Sequence, residues 1–138
     1  MAKQRTAGDI MKSPVISAKK DMLVSDVINL MALEKINGMP VVDDEGRMIG
    51  IITGRLMMNT AVSGNATRTS VADVMLKQLD IYGPTFPPDT PVELLVNYFT
   101  SSRINRIFIV EDDKVVGIIS RIDIICVLDQ IYSQFVMI

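Results

Sequence analysis

The sequence predicts an α/β (α+β) chain made of two β-α-β-β-α units related by a pseudo-two-fold axis. Three observations carry that expectation: an internal repeat, a helical spacing of apolar residues in each copy, and a hairpin pattern after each helix. The repeat decides the architecture, because self-similarity at a fixed offset means one structural unit used twice. Asp21, Val24, Asn29, Ile36, Asn37, Val42 and Asp44 recur 68 residues later as Asp89, Val92, Asn97, Ile104, Asn105, Val110 and Asp112. One residue is then lost from the turn, and Ile49-Gly50-Ile51-Ile52-Thr53 lies over Val116-Gly117-Ile118-Ile119-Ser120. Upstream, Thr6 and Asp9-Ile10-Met11 match Ser70 and Asp73-Val74-Met75, and the second copy takes a four-residue insertion around Tyr82 to Pro84.

The elements follow in the same order in both copies. Val24, Val27, Ile28 and Met31 fall at i, i+3, i+4 and i+7, one face of a helix. Val92, Leu95, Val96 and Phe99 repeat that spacing, with Pro91 where a first helical residue tolerates proline. Met39 to Val42 and Met48 to Ile52 flank the turn Asp43-Asp44-Glu45-Gly46; Ile107 to Val110 and Val115 to Ile119 flank Glu111-Asp112-Asp113-Lys114. Both read as hairpins, and their acidic turns as solvated turn chemistry rather than a metal site. A short helix starts near Arg55 and another near Arg121. The small polar stretch 63–69 is the expected linker, giving a first repeat over 1–64, a second over 65–130 and an apolar tail over 131–138. One unit alone exposes an apolar sheet face, so the two are expected to cover each other and leave two clefts.

Composition narrows the function. The chain has 138 residues, 49% of them hydrophobic, and a net charge of −2, so it can bury a core but offers no basic field for nucleic acid. No apolar run approaches the length that crosses a bilayer, and no signal-peptide pattern follows the basic N-terminus; a cytoplasmic protein without membrane insertion is expected. Histidine is absent, which removes imidazole bases, Ser-His and Cys-His pairs and the commonest metal ligand; no enzyme, no metal and no required cofactor are expected. The single cysteine, Cys126, excludes an internal disulfide and reads as an inert buried thiol, while Met57, Met58 and Met75 are expected to fill the core between repeats.

The order helix, Asn37-Gly38-Met39-Pro40-Val41-Val42, acidic turn, Gly50-Ile51-Ile52-Thr53, met twice, resembles the CBS (cystathionine β-synthase) domain in its tandem form, the Bateman module. The resemblance covers roughly residues 6 to 130. It implies clefts between the repeats that bind AMP, ADP, ATP, S-adenosylmethionine or related adenosine ligands, and a signal passed to another protein. With no enzyme or channel domain in this sequence, the partner would be regulated in trans, and pairing of modules into discs implies a homodimer.

The resemblance also implies site residues. The family's sugar-phosphate motif, Ser or Thr, two residues, then Asp, stands intact as Ser120-Arg121-Ile122-Asp123. A serine hydroxyl and free amides at a strand-to-helix junction can donate to phosphate, while an ionised Asp123 suits ribose hydroxyls; the same four residues also spell a capping box that needs no ligand. The first repeat reads Thr53-Gly54-Arg55-Leu56, and a leucine accepts nothing from a ribose, so its cleft is expected to be weak or empty. Nucleotide-sensing members of the family carry a basic dipeptide before the first hairpin strand; the matching positions are Asn105-Arg106 and Asn37-Gly38, which makes Arg106 the leading phosphate ligand, with Arg103 and Arg121 behind it and Asn105 a neutral departure. Adenine contacts are assigned to Tyr82, Thr85, Phe86 and Ile107, with Ile16, Ser17 and Met39, beside Thr53, as their counterparts in the weaker cleft. The alternative is a ligand-free scaffold for dimerisation or docking, or an S-adenosylmethionine-binding module.

Overall fold

The structure is a computed structural model that describes residues 5–77 and 84–132. The first repeat contains β1 (Ala18–Lys19), α2 (Val24–Glu34), β2 (Gly38–Val42), β3 (Met48–Thr53) and α3 (Gly54–Val62), preceded by the short helix α1 (Ala7–Ile10). The second contains β4 (Thr85–Phe86), α5 (Val92–Ser101), β5 (Arg106–Glu111), β6 (Lys114–Ser120) and α6 (Arg121–Ile125), preceded by α4 (Val71–Val74) and followed by α7 (Leu128–Ile131). Each sheet has the order first, second, third strand, with the outer short strand parallel to the middle one and the hairpin antiparallel. The same bulge interrupts both hairpins, between Val41 and Val42 and between Ile109 and Val110. The mixed α+β architecture with two β-α-β-β-α repeats is the one the sequence predicts.

The helical spacing works as read. Val24, Val27 and Met31 of α2 and Val92, Leu95, Val96 and Phe99 of α5 are buried, each stripe against its own sheet. Pro91 stands one position earlier than expected, at the N-cap, where its extended backbone (φ −61°, ψ 139°) costs no helical amide. The second hairpin turns on Asp112 and Asp113, both at positive φ (53° and 65°), the tight two-residue loop that matches strand twist. The stretch 63–69 contributes structurally: Thr69 and Ala66 carbonyls accept from the Val24 and Ser25 amides, closing the otherwise open N-terminus of α2.

The two repeats are exchanged at their leading helices. Ala7 of α1 is fully buried in the core of the second repeat, and Val71 of α4 is fully buried in the core of the first. The bridges come in equivalent pairs: Thr6 with Pro91 and Leu23 with Ser70, Lys12 with Ile118 and Ile51 with Leu76. Such reciprocity, in which i meets j and the equivalent of j meets the equivalent of i, is what a two-fold relation produces. Glycines make it possible. A Cβ on Gly117 would stand 2.7 Å from Met11 Cγ, and one on Gly50 2.7 Å from Met75 Sδ, so each equivalent glycine seats the methionine of the opposite leading segment.

Two expectations about sulfur side chains are corrected. Met57 is buried and Met75 packs at the contact between repeats, but Met58 is 64% exposed because α3 turns it outward. Cys126 is also exposed, since α6 ends at Ile125 and the chain turns before Val127 re-enters the core. Of the apolar tail, Ile131 and Tyr132 pack against the second core; 133–138 lie outside the described residues. Among the described residues no helix is long and apolar enough to cross a membrane.

Candidate functional site

A cavity of about 510 Å³ opens where the repeats meet, and the end of β6 forms one wall. Ser120 ends that strand with extended backbone (φ −110°, ψ 170°) and Arg121 begins α6. The Ser120 amide and hydroxyl both donate to Asp123 Oδ2, at 2.9 and 3.0 Å, so the capping reading of this motif is satisfied. The carboxylate is not confined to its own helix, however. Its other oxygen, Oδ1, pairs with Lys12 Nζ at 3.3 Å, and Lys12 arrives from the far end of the chain. Asp123 is 11% exposed and faces open space rather than a plug of side chains.

The opposite wall comes from the turn after α2, where Lys35 sits in the left-handed region (φ 59°) and is followed by Ile36, Asn37 and Gly38. Arg106, first residue of β5, crosses from the second repeat to this wall and donates through Nη2 to Asn37 Oδ1. Its guanidinium occupies the space a side chain at Gly38 would need, with Cζ 2.7 Å from where that Cβ would stand. Burial pulls the Arg106 pKa below its ordinary value, and among the described residues no carboxylate is ion-paired with it. Arg121 is held differently. Its Nε donates to Asn105 Oδ1 and its Nη2 to the Ser102 carbonyl, both at 3.1 Å, and it lies 5.8 Å from the centre of the Phe99 ring.

The charge balance of this cavity runs against that of the chain. Among the described residues, Lys12, Lys35, Arg106 and Arg121 line it with a single carboxylate, Asp123, whereas the whole protein carries −2. A half-buried guanidinium with a neutral amide as its partner is an incompletely compensated charge, and an anion entering beside it gains more than it would in water. α6 has only five residues, so this positive character belongs to side chains rather than to a helix dipole.

Ser120, Asp123, Arg106, Arg121 and Asn105 thus come together in one cavity. The adenine candidates do not join them. Ile107 is fully buried in the second core, and Phe86 packs on the same core with its ring 5.4 Å from Tyr98. Thr85 lines a separate cavity of about 340 Å³ with Asp43, Arg47 and Asp113, and Tyr82 lies outside the described residues. In the first repeat, Thr53 Oγ1 accepts from the Leu56 amide at 3.3 Å as a helix cap, and Leu56 packs on the first core. Met39 is fully buried, Ile16 packs beside it, and the Ser17 hydroxyl donates to the Val15 carbonyl at 3.3 Å. Sequence reasoning missed Lys12 and Lys35 and assigned no role to Asn37 and Gly38. The repeat itself carried a signal for the last two, because they are the equivalents of Asn105 and Arg106.

Comparison with known proteins identifies the fold and the family. The family model of the CBS domain matches twice, over residues 7–59 and 71–129. An inosine-5'-monophosphate dehydrogenase of Methanocaldococcus jannaschii is 31% identical over 88% of this chain and 23% of its own length. An A-adding tRNA nucleotidyltransferase of Geobacter sulfurreducens is 28% identical over 88% of this chain and 13% of its own. The chain therefore spans less than a quarter of either relative. Among solved structures, the CBS domain pair of protein MJ0100 in complex with 5'-methylthioadenosine and S-adenosyl-L-methionine superposes with a TM-score of 0.76 at 23% identity, covering 94% of this chain and 100% of that one. CBSX2 in complex with AMP gives 0.75 at 22% identity, covering 92% and 98%. At these identities the likeness is one of fold. The double match over both repeats, each in the place where the structure shows the same unit, makes this chain a member of the CBS domain family, carrying its domain as a tandem pair.

Proposed function

We propose that the chain is a regulatory ligand-sensing module that binds an adenosine nucleotide of the AMP, ADP or ATP class between its repeats, performs no chemistry, and acts on a partner protein in trans. The observation that carries this reading is the cavity with four cationic side chains and one carboxylate, walled by both repeats. Arg106 and Arg121 would receive phosphate oxygens, since a guanidinium fork matches them in geometry and charge. Asp123, an acceptor beside them, would take the ribose hydroxyls, which donate. Two solved CBS pairs of the same fold hold adenosine compounds, and this supports the ligand class. S-adenosylmethionine, whose sulfonium is cationic, fits a predominantly positive cavity less well. Because the two walls belong to different repeats, a ligand that bridges them favours one relative arrangement by its differential affinity, and that arrangement is what a partner would read.

A thermal-shift panel of AMP, ADP, ATP, NAD and S-adenosylmethionine tests the proposal. Stabilisation by a nucleotide that disappears in Asp123→Ala supports it. No response to any of the five leaves the scaffold reading, which one observation favours: Leu33, Met58, Val62, Ile122 and Ile125 are exposed on the helical faces, 55–88% each. Apolar exposure of that kind suits association, and a homodimer through these helices is part of both readings.

A further inference from the structure

We infer that Lys12 is a ligand-binding residue of the inter-repeat cavity, contacting the anionic part of the ligand, so that an occupied cavity adds a further tie between the already docked N-terminal segment 5–12 and the second repeat. The inference rests on the nucleotide reading above and adds to it a residue and a coupling.

The backbone around Lys12 is fixed before any ligand arrives. The Lys12 amide donates to the Ile118 carbonyl at 2.9 Å, and the Ile118 amide returns a bond to the Lys12 carbonyl at 3.0 Å. Met11 fills the space above Gly117, the Ala7 and Gly8 amides donate to Thr90 and Pro88, and the Arg5 carbonyl accepts from Val92. All of these partners lie in the second repeat. Residue 12 is therefore held at the cavity edge with little freedom beyond its side chain.

The side chain itself is 71% exposed and, among the described residues, its ion pair is with Asp123, at 3.3 Å. A pair whose lysine end stands in water contributes little to folding, so stability alone does not explain a lysine here. An ammonium has three donors, and Asp123 occupies one of them. When ribose hydroxyls take up Asp123, the ammonium is released into the cavity that Arg106 also lines, where both cations can contact one phosphate. Lys12 would then join the leading segment, the second repeat and the ligand in one contact.

The test compares wild type with Lys12→Ala and Lys12→Arg by calorimetric titration of ATP, AMP and uncharged adenosine. The expected result is a loss of about five- to tenfold in ATP and AMP affinity for Lys12→Ala, adenosine affinity unchanged, and most of the loss recovered in Lys12→Arg. Amide exchange over residues 7–12 should slow when wild type is saturated with ATP, and slow less in Lys12→Ala. The unliganded melting temperature should stay within about 2 °C of wild type, since the lysine end of the ion pair is exposed and Asp123 keeps its two bonds from Ser120. Unchanged or tighter nucleotide binding by Lys12→Ala, or an equal loss for adenosine, overturns the inference while the nucleotide reading stands. Absence of binding by wild type overturns both.

Discussion

Arg106 of the second repeat and Gly38 of the first are equivalent positions, and they touch: the arginine fills the volume left empty by the missing side chain of the glycine. Contact between equivalents places both at the pseudo-two-fold axis, as it does Arg47 and Lys114 at the hairpins. There is room for one long side chain at this point and not for two. The two repeats therefore differ at the axis itself.

Gly38→Ala should move the guanidinium without unfolding the protein. The intruding Cβ meets the far end of a flexible side chain, so the stability change should be below about 1 kcal/mol, within the range of substitutions away from rigid features. A structure of the variant should show the contact with Asn37 broken. Nucleotide affinity should fall while adenosine affinity holds. An undisturbed bond between Arg106 and Asn37 in Gly38→Ala would remove Gly38 from the account.

Gly117→Ala is a harsher change, because the added Cβ would lie 2.7 Å from Met11 Cγ and 2.8 Å from Met11 Cβ, near the root of a side chain tied to a paired backbone. Overpacking of this kind costs about 1–3 kcal/mol. Removing Met11 Cγ and Sδ should relieve part of it, although Cβ remains, so Met11→Ala combined with Gly117→Ala should lose less than the sum of the two single variants. Urea denaturation of the four proteins measures that coupling. Strict additivity would mean that the two residues do not share the space.

Much of this was legible in the sequence, and the rest was not for identifiable reasons. The repeat at offset 68 and the period of Val92, Leu95, Val96 and Phe99 suffice for the elements, because helix burial is a local pattern. The family pattern pointed to Ser120 and Asp123 through the Ser-x-x-Asp motif and to Arg106 through the dipeptide before the first hairpin strand, and all three line one cavity. Ile107 and Phe86 were expected at the adenine and sit in the core, since an apolar residue beside a cleft and one beneath it look alike in a sequence. Lys12 was out of reach for a different reason. Its approach to Asp123 depends on α1 packing against the second repeat, an exchange of leading helices that leaves no trace in composition or spacing.

Acid should expose the contribution of the first hairpin. Asp43 Oδ1 accepts from the Glu45 and Arg47 amides at 3.0 and 2.9 Å, and its Oδ2 from Arg47 Nε at 2.9 Å. Partial desolvation works to raise its pKa, yet the hydrogen bonds and charge supplied by Arg47, with the Glu45 amide, outweigh it and hold the value below the ordinary one. A carboxyl depressed in the folded state adds stability that is fully present above its unfolded pKa, near 4, and is lost as pH falls through the lower folded value. The stability gap between wild type and Asp43→Asn should accordingly be open at pH 7 and close on acidification below about pH 4. A gap independent of pH would show that the side chain acts by shape alone.

Met58 and Ile125 are equivalent positions on α3 and α6, both apolar, and 64% and 58% exposed. Each stands beside a shallow apolar groove: about 340 Å³ between α2 and α3, lined by Ile28, Met31 and Met57, and about 150 Å³ between α5 and α6, lined by Val96, Phe99 and Ile124. Knob and groove repeated on two sides of one chain are what a self-complementary face needs, since a two-fold dimer buries the same surface of both copies. Charges placed there would have to be desolvated on association but remain in water in the monomer. Met58→Glu with Ile125→Glu should therefore shift the protein from dimer to monomer in sedimentation at micromolar concentration. The helix content of the monomer should match that of wild type, because neither residue belongs to a core. Wild type that sediments as a monomer under the same conditions would dispose of the homodimer, and with it the use assigned to these grooves.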